Sequence, residues 1–336
     1  MLQPKNSNFF MFILFVTSLG LAFIIGIVLG FLSIANPEID LFDIPMWALF
    51  LMSQLLVFGV PSGIYLLVKR RNIKEILPLR RLGILNALML TGMTIAIQPL
   101  FMLVNLLSQF FFPNVIADSI ANVSQEGGFV LMLAIVAVVP SIFEELGFRG
   151  IGFAGYGHVK IRTVAMINGL LFGMIHMNMN QFIYAFALGA LFCYFMYYTK
   201  SLWAPILAHF VFNGTQSLMM YVALGIDPYA LYNYGEIPPL EGAEMVMMII
   251  FMSVLSIAFM VAFIALFIAF KQHNIKRNNR EGVVTDTAEA HRMAGGTRPP
   301  VFTWSFWVVV GLFVLMMLLN YLVPTFVESL TAVGGL

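Results

Sequence analysis

Six polar side chains interrupt otherwise apolar stretches of the sequence, and they are of the types that hydrolytic enzymes use. Two carboxylates and a guanidinium follow the uncharged run 129–139, and two imidazoles and an amide lie in later apolar stretches. The six residues are Glu144, Glu145, Arg149, His176, His209 and Asn213. An ionisable group is costly to place in hydrocarbon, so such a cluster inside apolar segments indicates a functional site.

Spacing separates the two adjacent carboxylates. Glu145 and Arg149 are four residues apart, close enough on a helix to form an ion pair, although Arg149 could instead anchor the helix at a membrane edge. Glu144 points about 100° away from Glu145 around the helix axis. Glu144 is therefore the carboxylate left without a partner in its own helix, and the one we expect to carry chemistry.

The later polar residues also indicate a shared polar space. His209 and Asn213 are four residues apart and project from one helix face, although Asn213 could also serve an interhelical hydrogen bond. Of the five histidines, only His176 and His209 lie in apolar segments. Pro140 and Pro205 lie four residues before the unpaired carboxylate and the second histidine, where a kink would open a polar cavity.

This set of groups suits two kinds of hydrolysis. A carboxylate with a histidine can activate water, and a second histidine with an amide can stabilise an oxyanion. No serine, threonine or cysteine stands out as a nucleophile, which favours direct attack by water. The rival is a zinc site formed by Glu144, His176 and His209. The sequence lacks His-Glu-x-x-His, which weakens this rival and leaves it open.

The whole chain has the composition of a multi-pass membrane protein. Hydrophobic residues make up 61% of 336 positions and charged residues 10%, and the mean hydropathy is +0.94. Apolar segments of about 20 residues, the length that crosses a hydrocarbon core, recur along the chain. They predict an all-α, polytopic transmembrane helical bundle, because a barrel would show short alternating strands. The nine predicted spans are 9–34, 46–68, 84–107, 128–148, 163–177, 182–199, 202–224, 243–270 and 302–323.

Charge divides the connections between these spans into two sets. One set holds all 17 Lys and Arg residues, and the other set holds none. The segments without Lys or Arg are 36–45, 108–127, 225–242 and 324–336. With nine spans the two sets fall on alternate sides of the membrane. The positive-inside rule then places the N-terminus in the cytoplasm and the C-terminus outside.

Other features limit the cofactors and partners. The single cysteine, Cys193, excludes an intramolecular disulfide and a thiolate metal cluster. The sequence has no glycine-rich phosphate loop and no nucleic-acid signature, so we expect its basic residues to contact lipid headgroups. The segment 271–301 is polar and is expected to be a flexible cytoplasmic linker.

Three motifs carry a resemblance to a known family. They are Glu144-Glu145-x-x-x-Arg149, Phe172-x-x-x-His176 and His209-x-x-x-Asn213. In this order, on successive helices of a polytopic protein, they resemble the CPBP family of CAAX proteases and bacteriocin-processing enzymes. This family is also called ABI, and it includes type II CAAX prenyl endopeptidases. The resemblance covers about residues 128–224, and the ordered trio is far more specific than any single motif.

The resemblance implies an intramembrane endopeptidase that cleaves a membrane-associated peptide or protein, with or without a lipid group. Glu144 and His176 would activate the water, and His209 and Asn213 would form the oxyanion hole. Two further motif residues would support the site, Glu145 and Arg149. No cofactor is expected, with zinc as the alternative. The cavity is expected to open toward the cytoplasm or the adjacent lipid.

The expected surroundings are those of a bacterial plasma membrane protein, whose partners are membrane lipids, the substrate and a membrane protein partner. A non-proteolytic scaffold, which keeps the polar cluster for structure, is the alternative function. The predicted regions are a three-span region 1–127, a four-span catalytic core 128–224, an eighth span with its outer loop 225–270, the linker 271–301, and the ninth span with its tail 302–336.

Depth in the membrane adds one constraint. Helix rise places Glu144 about 24 Å from the outer surface and His176 about 20 Å from the cytoplasmic side, too far apart to touch. Either the helix carrying His176 begins deeper than Thr163, or the hairpin that follows is submerged in the bilayer. The short polar turn 178–181 favours submergence.

Overall fold

The computed structural model of the chain describes residues 3–35, 45–69, 73–114, 116–226, 242–297 and 300–334. Thirteen α-helices and three π-helical turns form within these residues. The α-helices are α1 Pro4–Ala35, α2 Met46–Ser53, α3 Val60–Val68, α4 Ile73–Ile76, α5 Ile84–Ser108, α6 Ile116–Met132, α7 Val139–Glu145, α8 Ile161–Ile175, α9 Met179–Thr199, α10 Trp203–Ile226, α11 Ala243–Arg280, α12 Thr287–Met293 and α13 Trp304–Gly334. The π-helical turns are Gln54–Gly59, Leu133–Val138 and Leu146–Gly152.

The all-α class predicted from composition is confirmed, and the chain is an integral multi-pass membrane protein. The described residues contain no strand, and an isolated bridge joins Leu79 to Ser201. Six helices are long and apolar enough to cross a membrane: Pro4–Leu32, Met46–Val68, Ile84–Ser108, Ser119–Gly152, Met179–Thr199 and Ala243–Arg280. Two shorter apolar helices are Ile161–Ile175 and Trp304–Asn320. The count of nine spans, the orientation and the region boundaries stay predictions.

Part of the charge pattern lies outside the described residues. The segments 36–44 and 227–241 hold most of the acidic residues of the predicted outer face. Three basic residues also lie outside, Arg70, Arg71 and Arg298. The remaining basic residues can be followed in the fold.

The connection 108–127 is more helical than the sequence analysis expects. α6 begins at Ile116 and continues through Gly128, where a φ of 68° kinks the helix. Glycine adopts this conformation readily because it has no Cβ. The Glu126 carboxylate accepts hydrogen bonds from Met46 N at 2.7 Å and Trp47 N at 3.1 Å, so this segment caps the start of α2.

The predicted flexible linker 271–301 also differs from expectation. α11 continues to its end at Arg280, and α12 follows after a short turn. Asn278 Nδ2 donates to Tyr198 O at 2.9 Å, and Thr287 Oγ1 donates to Gly157 O at 2.6 Å. These contacts hold a polar segment against α9 and the segment before α8, which its composition does not reveal.

Basic side chains gather at one end of the bundle. Arg80 Nη1 donates to Thr199 O at 3.2 Å, and Lys200 Nζ donates to Thr285 O at 2.7 Å. Arg277 Nη1 donates to a carbonyl just before α5 at 2.9 Å. These bonds join the start of α5 to the ends of α9 and α11. We call this the basic end of the bundle.

The opposite end of the bundle is the one where α5 ends and α9 begins. Asn180 Nδ2, at the start of α9, donates to Ser108 Oγ at 2.5 Å, at the end of α5. Because Asn180 contacts Ser108 and Arg80 contacts Thr199, α5 and α9 run antiparallel, and the basic end and the opposite end lie at opposite ends of these two helices.

Glycine allows α8 and α9 to pack backbone against backbone. A Cβ at Gly169 would lie 2.6 Å from Phe186 O, and a Cβ at Gly173 would lie 2.8 Å from Phe182 O. Gly169 and Gly173 form the small-x-x-x-small pattern that lets membrane helices approach closely. This packing fixes the end of α8, from which His176 projects.

We expect Gly169→Ala to lower the stability of the protein, because the new methyl group must push α9 away. Overpacking of this kind typically costs about 1–3 kcal/mol. The matched control is Gly20→Ala in α1, where a Cβ would meet nothing within 4 Å. Thermal unfolding in detergent measures both variants. Equal midpoints for Gly169→Ala and the wild type would show that the close approach is not required.

Candidate active site

Four of the predicted residues line one cavity inside the bundle. Glu144 comes from α7, His176 follows α8, and His209 and Asn213 come from α10. The cavity has a volume of about 320 Å³. Glu144 and His209 are only 6% and 5% exposed. The fold therefore brings Glu144 and His176 to one space, despite the different depths that helix rise assigns to them.

Glu145 lies behind the cavity and binds two side chains. Its Oε1 accepts hydrogen bonds from Arg149 Nη1 at 3.0 Å and from His209 Nδ1 at 2.9 Å. The bond to Arg149 is the one that the four-residue spacing predicts. The bond to His209 was missed, because it joins α7 to α10 and no spacing within one helix indicates it.

Arg149 is fully buried, so it is a partner of Glu145 and not a membrane-edge anchor. Its Nη2 donates to Gly189 O at 2.9 Å, and its guanidinium carbon lies 4.3 Å from the centre of the Phe172 ring. A Cβ at Gly189 would lie 3.0 Å from Nη2, so a side chain there would crowd the guanidinium. The hydrogen bonds and the ring face offset part of the cost of burying this charge.

Gln54 is a site residue that the sequence analysis missed. Its Nε2 donates to Glu144 Oε1 at 2.7 Å, and its own buried Oε1 has no hydrogen-bond partner among the described residues. Gln54 opens the π-helical turn Gln54–Gly59, and such turns are frequent at functional sites. The available signal was a polar residue inside the apolar segment 46–68.

The two histidines are held through the same ring nitrogen. His176 Nδ1 lies 2.8 Å from Phe172 O, and a carbonyl oxygen only accepts, so Nδ1 carries the hydrogen. His209 Nδ1 likewise donates to the Glu145 carboxylate. Nε2 of each ring has no hydrogen-bond partner in the described part of the chain. A neutral His176 therefore offers an acceptor at Nε2, and a protonated His209 offers a donor there.

Asn213 joins α10 to the helix that carries the carboxylates. Its Nδ2 donates to Val136 O at 3.0 Å, and Val136 lies four residues before Pro140, which has no N–H to offer that carbonyl. An amide nitrogen has a second hydrogen, which leaves Asn213 one further donor. Pro205 behaves differently: it is the third residue of α10, where a proline removes no intrahelical hydrogen bond, so the predicted kink before His209 is wrong.

The zinc alternative requires three converging ligands. Within the described ranges, no group of three His, Cys, Asp or Glu side chains is arranged to hold a metal ion. Glu144, His176 and His209 line the same cavity without forming such a group. Zinc as a cofactor stays a prediction, which a metal assay of the purified protein tests.

Comparison with known proteins supports the resemblance over the segment that carries the motifs. Residues 126–215 match the family described as type II CAAX prenyl endopeptidase Rce1-like. The chain is also 31% identical over 84 residues to a Bacillus subtilis (strain 168) protein named "Putative membrane peptidase YdiL". That alignment covers 25% of this chain and 34% of the relative. No solved structure matches the chain. All seven residues named in the three motifs lie within 126–215, whereas Gln54 lies outside it.

We expect Arg149→Met to destabilise the protein strongly, because it leaves the Glu145 charge buried without the guanidinium. Breaking a buried pair in this way costs about 3–5 kcal/mol. The double variant Glu145→Gln with Arg149→Met removes both charges, so its loss should be smaller than the sum of the single losses. Thermal unfolding of all three variants in detergent measures this coupling.

The exposed pair Glu289 and Arg292 is the matched control. Arg292 Nη2 lies 3.5 Å from Glu289 Oε1, and the side chains of Glu289 and Arg292 are 57% and 64% exposed. The same set of single and double variants at this pair should therefore give a coupling free energy of about 0–1 kcal/mol. A coupling for Glu145 and Arg149 no larger than this control would contradict a buried ion pair that supports the site.

Proposed function

We propose that the protein is an intramembrane endopeptidase that hydrolyses a peptide bond of a membrane-associated peptide or protein in the bacterial plasma membrane. One observation carries this proposal: Glu144, His176, His209 and Asn213, from three parts of the fold, face one cavity. The similarity to a membrane peptidase family over residues 126–215 supports the same reaction. The chain spans about a third of the length of the curated relative that it matches.

In the proposed reaction, Glu144 and His176 position and activate a water molecule. The water donates one hydrogen to the Glu144 carboxylate and the other to His176 Nε2, so its oxygen lone pair faces the substrate carbonyl. As the C–O bond forms, Glu144 takes a proton. As the C–N bond breaks, that proton passes to the leaving amine. Gln54 already donates to Glu144 Oε1, which leaves Oε2 for the water.

In the same reaction, His209 and Asn213 stabilise the oxyanion. Protonated His209 donates to it from Nε2, while its Nδ1–H stays on the Glu145 carboxylate. Arg149 holds Glu145 in place, and Glu145 fixes the orientation of the His209 ring. Asn213 supplies its second amide hydrogen. Preorganised donors of this kind are worth about 100-fold to 1000-fold each in kcat.

We expect Glu144→Gln to abolish processing while the protein stays folded, because the amide cannot take a proton from water. Loss of a general base typically lowers the rate by about 100-fold to 10,000-fold. Membranes that contain the variant should accumulate uncleaved substrate peptides. Purified wild-type protein is then added to these membranes, and cleavage of the accumulated peptides is measured. Glu244→Gln, at an exposed position in the first turn of α11, is the matched control and should cleave normally.

Two results would favour a different function or mechanism. Normal processing by Glu144→Gln would contradict the proposal and favour a scaffold that binds a membrane partner. Stoichiometric zinc in the purified wild type, with activity lost on chelation and restored by zinc, would replace the metal-free mechanism with a metal-assisted one.

We expect Gln54→Met to lower kcat by about tenfold to 100-fold with little change in KM, because it removes a hydrogen bond to a charged group that acts in the reaction. The steady-state kinetics of purified protein separate the two constants. Gln272→Met, at an exposed position on α11, is the control. An equal rise in KM with unchanged kcat would mean that Gln54 binds substrate and does not position Glu144.

A further inference from the structure

We propose that the cavity receives an extended peptide segment from the opposite end of the bundle, through a vestibule formed by Asn105, Asn114 and Gln216. This inference rests on the proposed peptidase function, because it names the substrate as a polypeptide backbone and gives its direction of approach. It departs from the expected opening toward the cytoplasm or the adjacent lipid.

The cavity is closed on the side of the basic end. Phe172 and Phe192 form its wall there and are 3% and 1% exposed. Behind them lies Arg149, whose guanidinium carbon is 4.3 Å and 5.4 Å from the centres of these two rings. Arg149 belongs to the π-helical turn Leu146–Gly152, which also contains Ile151. The carbonyl of Ile151 accepts a hydrogen bond from Ser7 Oγ, at the start of α1, at 3.0 Å. All residues from Gly147 to Gly152 of this turn are buried, so side chains fill the space on this side of the cavity.

Three partly exposed polar residues line the cavity toward the opposite end. Asn105 lies in the last turn of α5, three residues before Ser108, which binds the start of α9. Asn114 follows α5, and Gln216 lies in the second half of α10. All three vestibule residues are partly exposed and line the same cavity as Glu144.

The vestibule has the chemistry of a backbone-binding site. The side chains of Asn105 and Asn114 make no hydrogen bond within the described residues, although each offers two donors and an acceptor. Gln216 Nε2 donates to Gln98 Oε1 at 3.1 Å, and its own carbonyl oxygen is not engaged by any described residue. Amides can both donate to and accept from peptide groups, so an extended chain satisfies them without requiring a particular side chain.

The charge pattern indicates from which side of the membrane the substrate approaches. Basic residues mark the cytoplasmic face of membrane proteins, and here they gather at the closed end of the cavity. The vestibule then faces the extracytoplasmic side. The substrate class is a polypeptide segment presented at, or just within, the outer surface of the membrane.

The experiment maps accessibility with introduced cysteines. Asn114→Cys and Gln216→Cys place a thiol in the vestibule, and Asn279→Cys places one at the basic end, where Asn279 is exposed. The native Cys193 is fully buried, so the wild type serves as the unlabelled control. A membrane-impermeant thiol reagent is applied to right-side-out and to inside-out vesicles.

We expect the two vestibule thiols to be labelled in right-side-out vesicles and Asn279→Cys in inside-out vesicles. Labelling of the vestibule thiols in inside-out vesicles only, or on the same side as Asn279→Cys, overturns the inference. Absence of label at the vestibule thiols in both preparations also overturns it, because the vestibule would then not be open to water. Thiol labelling does not require cleavage of a substrate. Its result is therefore independent of whether the protein is a peptidase.

A kinetic arm tests the vestibule as a binding site. Loss of one hydrogen bond to the substrate backbone should raise KM by about fivefold to tenfold in Asn105→Ala and in Asn114→Ala. Asn279→Ala is the matched control. Unchanged KM in both vestibule variants would contradict recognition of the peptide by these amides.

Discussion

The rest of the site depends on the buried carboxylate of Glu145 and its bonds to Arg149 and His209. Its Oε1 accepts from Arg149 and from His209, and Arg149 reaches on to Gly189 O. Three parts of the fold, α7 with its π-helical extension, α9 and α10, are thus joined through one buried charge pair. Because an unpaired charge in this environment is very costly, these helices cannot separate without losing several bonds at once.

This arrangement gives the adjacent carboxylates different tasks. Glu145 Oε1 accepts from Arg149 and His209, whereas Glu144 faces the cavity, and its hydrogen-bond partner among the described residues is the neutral amide of Gln54. Both histidines are held through Nδ1, which leaves Nε2 of each ring without a hydrogen-bond partner among the described residues. In the proposed reaction this site needs no nucleophilic side chain, because the groups around the attacking water would provide acceptors for its hydrogens and donors for the oxyanion.

The sequence predicted the helical class and four polar residues of the cavity, because apolar length and costly polar groups are local signals. It also predicted the Glu145 and Arg149 pair from spacing within one helix. It could not predict the His209 bond to Glu145, the Gln54 bond to Glu144 or the helical extension to Arg280, since each depends on which helices pack together. Pro205 shows the same limit, because its effect depends on where α10 begins.

The central claim is that water, and not a protein side chain, attacks the peptide bond. The most direct measurement is mass spectrometry of the purified protein and its substrate during the first turnover. The account predicts two products whose masses together equal the substrate plus one water, with the protein mass unchanged throughout. A population of the protein that carries a covalently bound substrate fragment, formed and lost at the rate of turnover, would contradict it.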